Sequence, residues 1–351
     1  MAKSGIGLDI GTSAVKLVEI ENGHPFRVRL ARSEPLPENA FSKDMFQNAP
    51  PIVPVLQNLF KKTHSRRAVI AISGQSTIVR TVKVPLLDKE EIRNALQWEA
   101  EKYVPFPIDE VSLDFQIIGQ NREQNESEIF LAAVHKDIIT QQMEILRQAG
   151  IHPLAIDIQA LALARGLGLE KSLDNASVAL LNIGATTSDL TIVKEGIPRF
   201  TRIIPIAGKP LTESIAKNLG VSLEKAEQLK RQYSDAHYNL AQAVPGSELY
   251  QVNFTMLGGL RELVLEIKRS FDYYRVQQRN DEISQLELTG GVAQLNNLLP
   301  FLSQELGYPV SLAQPAVKYK CANKKTGAAF NQAIPEMMVA FGLALREVIP
   351  G

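Results

Sequence analysis

One pattern of strands and turns occurs twice in this sequence and constrains the fold more than any other feature. In the first copy, residues 6–31, the turn Gly11-Thr12-Ser13 joins two strands of alternating apolar and polar side chains. The second copy, residues 178–204, contains a polar turn at residues 185–188. Asp9 and Asn182 hold the same place in the two copies, about 170 residues apart. The repeat predicts a duplicated fold with two related halves.

The two turns predict a binding site between the halves. Ligands favour domain interfaces, and the successive backbone N–H groups of tight polar turns form concavities that bind anions. Two such turns can clamp a polyphosphate, and carboxylates beside them can hold its Mg²⁺ through water. Asp9 stands inside an apolar strand, where a carboxylate faces either water or a positive partner. We therefore expect Asp9 to point at a cation.

The composition excludes several classes of protein. The 351 residues are 45% hydrophobic and 22% charged, as in ordinary globular proteins. Lysine plus arginine equals aspartate plus glutamate at 38 each, so the overall charge gives no reason to expect nucleic acid or an anionic membrane as partner. We interpret the basic run at residues 61–67 as a solvated loop, with a patch for lipid or nucleic acid as the alternative.

Cysteine use and hydropathy favour a cytosolic protein. Cys321 is the one cysteine, and the five histidines are scattered without the spacing of metal ligands. The first residues lack the apolar run of a signal peptide, and no stretch has the roughly 20 apolar residues of a membrane span. We therefore expect no direct membrane insertion.

Residues 85–153 read as a compact insertion between the two copies. A helix begins near Asp88, which is a plausible N-cap, and prolines end it. Strands are expected at residues 113–118 and 129–135, followed by a helix at residues 136–148. Trp98 and Tyr103 are expected in the core of this insertion, and the alternative is that one of them lines a groove for a partner.

The other segments show clear signals. Asn22-Gly23 predicts a type I′ hairpin. Residues 207–283 are expected to be mostly helical, with a strong amphipathic helix over residues 258–277. Residues 286–306 read as a strand, a double-glycine turn and a helix, and a last helix is expected near residues 335–348.

Five motifs, in order along the chain, resemble those of the actin-like ATPase superfamily, which includes actin, heat-shock chaperone ATPases, sugar kinases and FtsA. They are DIGTSAVK, IDIQALALARG, NIGATTSDLT, LTGGVAQLNN and PEMMVAFGLAL. The resemblance implies an α/β, duplicated ribonuclease-H-like fold with an inserted FtsA/PilM-type α+β subdomain. It divides the chain into the first actin-like subdomain (1–84), the insertion (85–153), a connecting helix (154–177) and the second half (178–351), whose last helix returns to the first.

The insertion motif EAEKYVPFPIDEVSLDFQ, with ATTSDLTIV and EIKRSFDYYR, resembles the PilM family of type IV pilus assembly. That resemblance implies a cytoplasmic ATP-binding protein of pilus biogenesis and twitching motility. It also implies that the N-terminal cytoplasmic tail of the inner-membrane protein PilN binds in a groove between the first subdomain and the insertion. The protein would thereby sit peripherally at the inner membrane and link PilN to the assembly ATPases, with self-association left open.

The resemblance also assigns residues around ATP (or ADP) and Mg²⁺. Asp9 and Asp189 would hold the metal through water, and Gln159 would orient a water molecule. The phosphate and nucleoside contacts it implies are Gly11, Thr12, Ser13, Lys16, Gly184, Ala185, Thr186, Thr187, Lys268, Arg269, Gly290, Gly291 and Val292. Asn182 stands where the second phosphate motif usually has Asp, and an amide cannot accept a proton. We therefore expect slow hydrolysis or none.

Other interpretations stay open from the sequence. Taken singly, Asp9 and Asp189 read as turn-capping carboxylates, Lys16 as an exposed strand lysine and Gln159 as a helix-surface residue. An FtsA-like filament former and a phosphotransferase of the sugar-kinase type are the alternative functions. The second requires a carboxylate base near an acceptor hydroxyl.

Overall fold

The computed structural model describes residues 3–37, 40–42, 45–46, 49–72, 77–99, 102–169, 176–278 and 281–349. The strands there are β1 (Ser4–Ile10), β2 (Ala14–Glu21), β3 (Phe26–Pro35), β4 (Phe41–Ser42), β5 (Met45–Phe46), β6 (Arg67–Ile72), β7 (Thr77–Pro85), β8 (Val111–Asn121), β9 (Glu126–His135), β10 (His152–Ile158), β11 (Ser177–Ile183), β12 (Ser188–Lys194), β13 (Ile197–Ile204), β14 (Ile283–Thr289), β15 (Val310–Leu312) and β16 (Tyr319–Cys321). The helices are α1 (Ala49–Leu59), α2 (Lys89–Glu99), α3 (Lys136–Gln148), α4 (Gln159–Gly166), α5 (Gly208–Leu219), α6 (Leu223–Tyr233), α7 (Glu248–Gln277), α8 (Leu298–Leu306), α9 (Lys324–Gln332) and α10 (Ile334–Val348).

Two sheets form the two related halves. The first has the order β10-β6-β1-β2-β3-β16 and the second the order β13-β12-β11-β14-β15. β1, β2 and β3 pair antiparallel in turn, and so do β11, β12 and β13. On its other side each first strand has a parallel neighbour, β6 for β1 and β14 for β11. The predicted duplication is therefore confirmed at the level of strand pairing.

One buried cluster joins the halves through two helices. It contains Val18 of β2, Leu163 of α4, Leu180 of β11 and most of α10. α10 packs so closely that Cβ atoms at three glycines would overlap a neighbouring backbone. A Cβ at Gly7 of β1 would lie 1.9 Å from the carbonyl oxygen of Ala340, and one at Gly342 of α10 would lie 1.8 Å from that of Ala162. Gly5 shows the same contact with Ala344.

The second half has its own core around α7. The amphipathic stripe predicted for this helix is confirmed, because Leu260, Leu263, Val264, Ile267 and Phe271 are all buried against the second sheet. α7 begins at Glu248, ten residues before the expected start. The opposite face of the helix is exposed.

The insertion is a three-stranded sheet, ordered β7-β9-β8, covered by α2. Its sheet begins at Thr77, because β7 pairs with β9 along its whole length. Ile145 and Leu146 of α3 are buried instead with Leu8 and Leu17 of the first half. The packing therefore places the edges of this unit near 77 and 135, and the expected edges at 85 and 153 are wrong.

Three local predictions also fail. Trp98 is 87% exposed, whereas Tyr103 packs against the insertion core as expected. The connecting helix begins at Gln159, since residues 152–158 form β10 in parallel pairing with β6. Asn22-Gly23 is not a type I′ turn, which needs positive φ at both residues, because neither residue has it. The connection runs from the end of β2 at Glu21 to the start of β3 at Phe26, so it is longer than a two-residue hairpin turn.

The insertion also contacts the second half. Arg199 of β13 and Glu128 of β9 form an ion pair with an N–O distance of 3.0 Å, and the arginine side chain is 13% exposed. The insertion is therefore bonded to both halves, covalently to the first and by this ion pair to the second.

The structure gives a limited result on membrane spans. No single helix in the described ranges is long and apolar enough to cross a membrane. α9 and α10 meet the length and hydropathy test only as a pair bent by 109°, and α10 is largely buried in the shared core.

The backbone contact at Gly342 predicts a stability difference between two matched glycine variants. Gly342→Ala should lower the free energy of unfolding by about 1–3 kcal/mol or more, because the added methyl overlaps the Ala162 carbonyl. Gly258→Ala, in α7 with no atom within 4 Å of the added methyl, should raise it by about 0.5–1 kcal/mol. Urea unfolding followed by circular dichroism measures both, and equal midpoints for the two variants would contradict this packing.

Candidate functional site

The two turns of the repeat have the same geometry. The N–H of Gly11 donates to the carbonyl of Ala14 at 3.1 Å, and the N–H of Gly184 donates to the carbonyl of Thr187 at 3.0 Å. In register, Asp9 lies opposite Lys16 in the first half, and Asn182 lies opposite Asp189 in the second. Asp9 and Asn182 are therefore structural equivalents, as predicted, and Asp189 takes the place of Lys16.

The two turns meet. The hydroxyl oxygens of Thr12 and Thr186 lie 3.1 Å apart, although 174 residues separate them in the chain. One hydrogen bond thus joins the two halves at the ends of equivalent hairpins. The two turns that the repeat predicts to face each other therefore lie side by side, and nucleotide binding between them stays a prediction.

Asp9 faces a cation supplied by the protein itself. Its Oδ2 atom lies 3.5 Å from Nζ of Lys16, and the two side chains are only 14% and 17% exposed. The same Nζ would lie 3.0 Å from a Cβ at Gly11, so the ammonium group reaches over the first turn. Lys16 therefore places positive charge where the backbone N–H groups of that turn are.

Magnesium at this site stays a prediction. In the part of the chain that the structure describes, no group of three or more His, Cys, Asp or Glu side chains is placed to hold a metal ion. Asp9 is paired with Lys16, and Asp189 is half-buried on the opposite hairpin. A magnesium ion between them would need phosphate oxygens and water for its remaining ligands.

The double-glycine turn packs directly against the second hairpin. Gly290 has φ +94°, and a Cβ there would lie 2.3 Å from the carbonyl oxygen of Ile183 and 2.6 Å from the side-chain oxygen of Asn182. The hydroxyl of Thr289 donates to that same Asn182 oxygen at 3.3 Å. Any side chain at Gly290 is excluded, and the amide of Asn182 is held at the floor of the cleft.

The start of α5 completes this side of the cleft. The N–H groups of Gly208 and Lys209 donate to the carbonyls of Gly184 and Ala185 at 3.1 and 2.6 Å. A Cβ at Gly208 would lie 3.2 Å from Cγ2 of Val292. The second turn, the start of α5 and residues 290–292 therefore form one continuous surface.

The structure adds a polar cluster that the sequence analysis missed. Nζ of Lys230 donates to the Gly208 carbonyl at 2.8 Å and to the Thr212 hydroxyl at 2.6 Å, and it lies 2.6 Å from Oε2 of Glu227. Glu227 and Lys230 stand three residues apart on α6. That spacing is the signal in the sequence, but ordinary exposed helix pairs share it.

Burial and bonding act in opposite directions on this pair. Burial by itself raises the pKa of Glu227, but bonds from Lys230, Thr212 and Arg231 outweigh it and leave the pKa below its ordinary value of 4.5. Burial lowers the pKa of Lys230, and its bond to Glu227 only partly offsets this. The lowered pKa of Glu227 favours the charged pair, whereas the lowered pKa of Lys230 disfavours it. Because three donors surround the carboxylate, we take Glu227 to be the group held ionised.

Gln159 lies at the same edge of the first sheet as the Gly11 turn. Leu8 of β1 and Ile156 of β10 both pair with Ile70 of β6, and Gly11 and Gln159 each follow three residues later. Gln159 is the first residue of α4 and is 8% exposed, so it is not a helix-surface residue. Its role toward water stays a prediction.

Lys268 and Arg269 are not brought to the cleft. Both lie on the exposed face of α7, turned away from the sheet. Arg269 pairs with Glu266, which also pairs with Arg202 of the edge strand β13. The expected contact of these two residues with ribose or base is therefore wrong, because the buried stripe of α7 orients them outward.

Two concave cavities lie elsewhere. One cavity, of about 310 Å³, is lined by residues that follow α4 and by residues of β14 and β15. Glu287 is among them, and burial raises its pKa. The other, of about 20 Å³, lies inside the insertion. Neither contains a residue of the two turns, so the polar contacts between the halves, and not concavity, define the candidate site.

Comparisons with known proteins agree with this architecture. The family profile described as "Type IV pilus assembly protein PilM" matches residues 7–348. In a solved PilM–PilN type IV pilus biogenesis complex, one chain is 30% identical, with a TM-score of 0.85 and 99% of each chain covered. The cell division protein FtsA of Bacillus subtilis (strain 168) is 24% identical over 88% of this chain and 78% of its own.

A likeness in fold alone extends to MreB5 of Spiroplasma citri, solved with AMPPNP, at 13% identity and a TM-score of 0.53 over 98% and 96% of the two chains. The chain therefore belongs to the PilM family of type IV pilus assembly proteins and has the actin-like ATPase fold.

Proposed function

We propose that this protein binds ATP or ADP between its two halves and acts in type IV pilus assembly as an adaptor that binds PilN. The contact between Thr12 and Thr186 carries the nucleotide part of this proposal, because it brings two N–H-rich turns to one point. The nucleotide-bound MreB5 has the same fold, which supports the proposal. The similarity to a chain of a PilM–PilN complex supports the partner.

The residues present fit a polyphosphate. In the described ranges, the backbone N–H groups of Thr12, Ser13, Ala185 and Thr186 donate to no protein acceptor. Lys16 adds an ammonium group above the first of these turns. Unpaired N–H donors beside a cation form an anion site. The phosphates would lie between the turns, and Asp9 and Asp189 would face their magnesium ion through water.

The nucleoside would lie on the second-half side of the cleft. Gly290, Gly291 and Val292 offer a surface with little side-chain bulk next to Gly208. Glu227 and Lys230 stand behind Gly208 and replace Lys268 and Arg269 as candidates for contact with ribose or base. Their carboxylate and ammonium groups provide both an acceptor and donors for a sugar hydroxyl or a base edge.

Hydrolysis would be slow or absent. The equivalent of Asp9 in the second half is Asn182, whose side-chain oxygen accepts from Thr289. An amide held in this way cannot take a proton from an attacking water. Gln159 lies at the correct sheet edge to orient such a water, but orientation alone leaves the proton without an acceptor. Nucleotide would therefore serve to hold the two halves together.

PilN would bind between the first subdomain and the insertion by its N-terminal tail and connect through this protein to the assembly ATPases. The insertion carries an exposed aromatic side chain suited to a protein partner, Trp98 on α2. It also touches the second half through Glu128, so partner and nucleotide would act on connected parts.

Nucleotide binding predicts a melting shift that depends on Asp9. At a thousandfold excess over its dissociation constant, ATP with magnesium should stabilise the fold by about 4 kcal/mol. Asp9→Asn should reduce the part of that shift that magnesium adds, whereas Asp114→Asn, at an 82% exposed carboxylate of the insertion, should leave it unchanged. Differential scanning fluorimetry with and without EDTA measures this. Equal shifts in all three proteins would contradict the role of Asp9.

The lowered pKa of Glu227 predicts a pH effect on stability. A carboxyl whose pKa is lower in the folded than in the unfolded state contributes stability above the unfolded value of 4.5, and loses it as pH falls through the folded value. Wild-type protein should therefore lose more unfolding free energy below pH 4.5 than Glu227→Gln does. Urea midpoints at several pH values test this, and parallel pH curves for the two proteins would contradict it.

The partner proposal predicts that a peptide of the PilN N-terminal tail binds the full chain. Trp98→Ala should weaken this binding about tenfold or more if the tryptophan anchors the peptide. Val276→Ala, at an 80% exposed site on α7, is the matched control and should bind as wild type does. Fluorescence anisotropy of the labelled peptide measures the affinities. Absence of binding to wild type would contradict the partner, and equal affinity in both variants would exclude Trp98 as its anchor.

A further inference from the structure

A band of cations follows one edge of the first sheet, opposite the edge that carries the nucleotide turns. Lys61, Lys62, Arg66 and Arg67 are exposed in the segment that leads from α1 into β6. β6 is parallel to β1, so its start lies at the same edge as the start of β1, where Lys3 is exposed. The Gly11 turn is at the other end of β1, about 20 Å away along the strand.

The band continues across the sheet to its far strand. Arg27 lies near the start of β3, which is at this same edge because β3 is antiparallel to β2. Lys320 of β16 is in register with Arg27. Phe26, Val28 and Tyr319 pack into the core with α10, so Arg27, Arg29 and Lys320 face the other side of the sheet, where α1 lies.

Two carboxylates, one buried and one half-buried, connect the two groups of cations. Glu19 and Glu21 are on one face of β2, two residues apart. Oε1 of Glu19 lies 3.1 Å from Nδ1 of His64. Glu21 pairs with Arg27 at 3.6 Å and with Arg29. We call this surface the basic band, and its members are Lys3, Arg27, Arg29, Lys61, Lys62, Arg66, Arg67 and Lys320.

The exposed charge of the band is positive although the whole chain is neutral. Glu19 and Glu21 are 1% and 19% exposed, whereas Arg27 is 49% exposed. In the described ranges Lys3, Lys61, Lys62, Arg67 and Lys320 have no carboxylate within ion-pair distance. These two carboxylates lie beneath the cations, and Glu347, which packs against Gly5 at this edge, is half-buried, so cations outnumber the carboxylates that a partner would meet here.

The chemistry of the band favours a lipid surface over a protein partner. Protein interfaces rely on aromatic or aliphatic anchors at their centre, and single-stranded nucleic acid binds on exposed aromatic rings. No large hydrophobic side chain of the band is exposed in the described ranges, and Phe60 beside it is 2% exposed. An anionic membrane surface requires cations alone, each of which adds to binding.

We propose that the basic band docks this protein on anionic phospholipid headgroups without insertion. The interaction would be reversible and sensitive to salt, because it rests on exposed charges. It would leave the nucleotide cleft free, since the turns lie at the opposite edge of the sheet. The proposal is independent of nucleotide and of PilN.

Vesicle sedimentation with the full chain, in the absence of nucleotide and peptide, tests the proposal. Wild-type protein should sediment with phosphatidylcholine vesicles that contain about 30% phosphatidylglycerol at about 50 mM salt, and not with phosphatidylcholine alone. Raising the salt to about 500 mM should release it. The triple variant Lys61→Glu, Lys62→Glu, Arg67→Glu should lose about tenfold or more of the vesicle affinity.

A second triple variant is the control for net charge. Lys217→Glu, Lys225→Glu, Lys268→Glu makes the same change in charge at exposed lysines of the second half. It should retain wild-type binding, and circular dichroism should show both variants folded. An equal loss in both variants, or equal sedimentation with the two kinds of vesicle, would overturn the proposal. Band-dependent binding to a short DNA duplex, without binding to vesicles, would overturn it in favour of nucleic acid.

Discussion

The close contact of α10 with the backbones of β1 and α4 is the constraint on which the rest of the structure depends. Gly7 and Gly342 allow carbonyl groups to approach positions that any side chain would occupy. α10 is therefore in backbone contact with the first sheet, while its apolar side chains pack with the second. A core assembled in this way fixes the spacing of two sheets that share no strand.

That spacing determines the candidate site. Each half supplies a hairpin turn that is closed by its own backbone bond, and neither turn alone has an opposing group. The shared core holds the halves so that Thr12 lies within hydrogen-bonding distance of Thr186. The site is therefore a property of the interface, and small changes in the packing of α10 would move its two sides relative to each other.

The sequence predicted what depends on local signals. The repeated hairpins follow from alternation and polar turns, and the buried stripe of α7 follows from helical periodicity. It did not predict which element packs against which. The alternation of β7 does not determine which sheet the strand joins, and the apolar face of α3 does not determine whether the helix packs on the insertion or on the first half. A motif suggests Lys268 and Arg269 as nucleotide contacts, but the packing of α7 decides which face of the helix they occupy. Lys230 bonds to Gly208 because α6 folds back over α5, which no local signal predicts.

The ion pair of Arg199 with Glu128 has a consequence for motion. The insertion is tethered to the first half by two chain segments, yet its central strand β9 holds the edge of the second sheet. Any motion that separates the halves must either break this ion pair, whose arginine is 13% and whose glutamate is 37% exposed, or move the insertion together with β13. The insertion therefore links the two halves, and a partner bound to it would be mechanically coupled to any change in their separation.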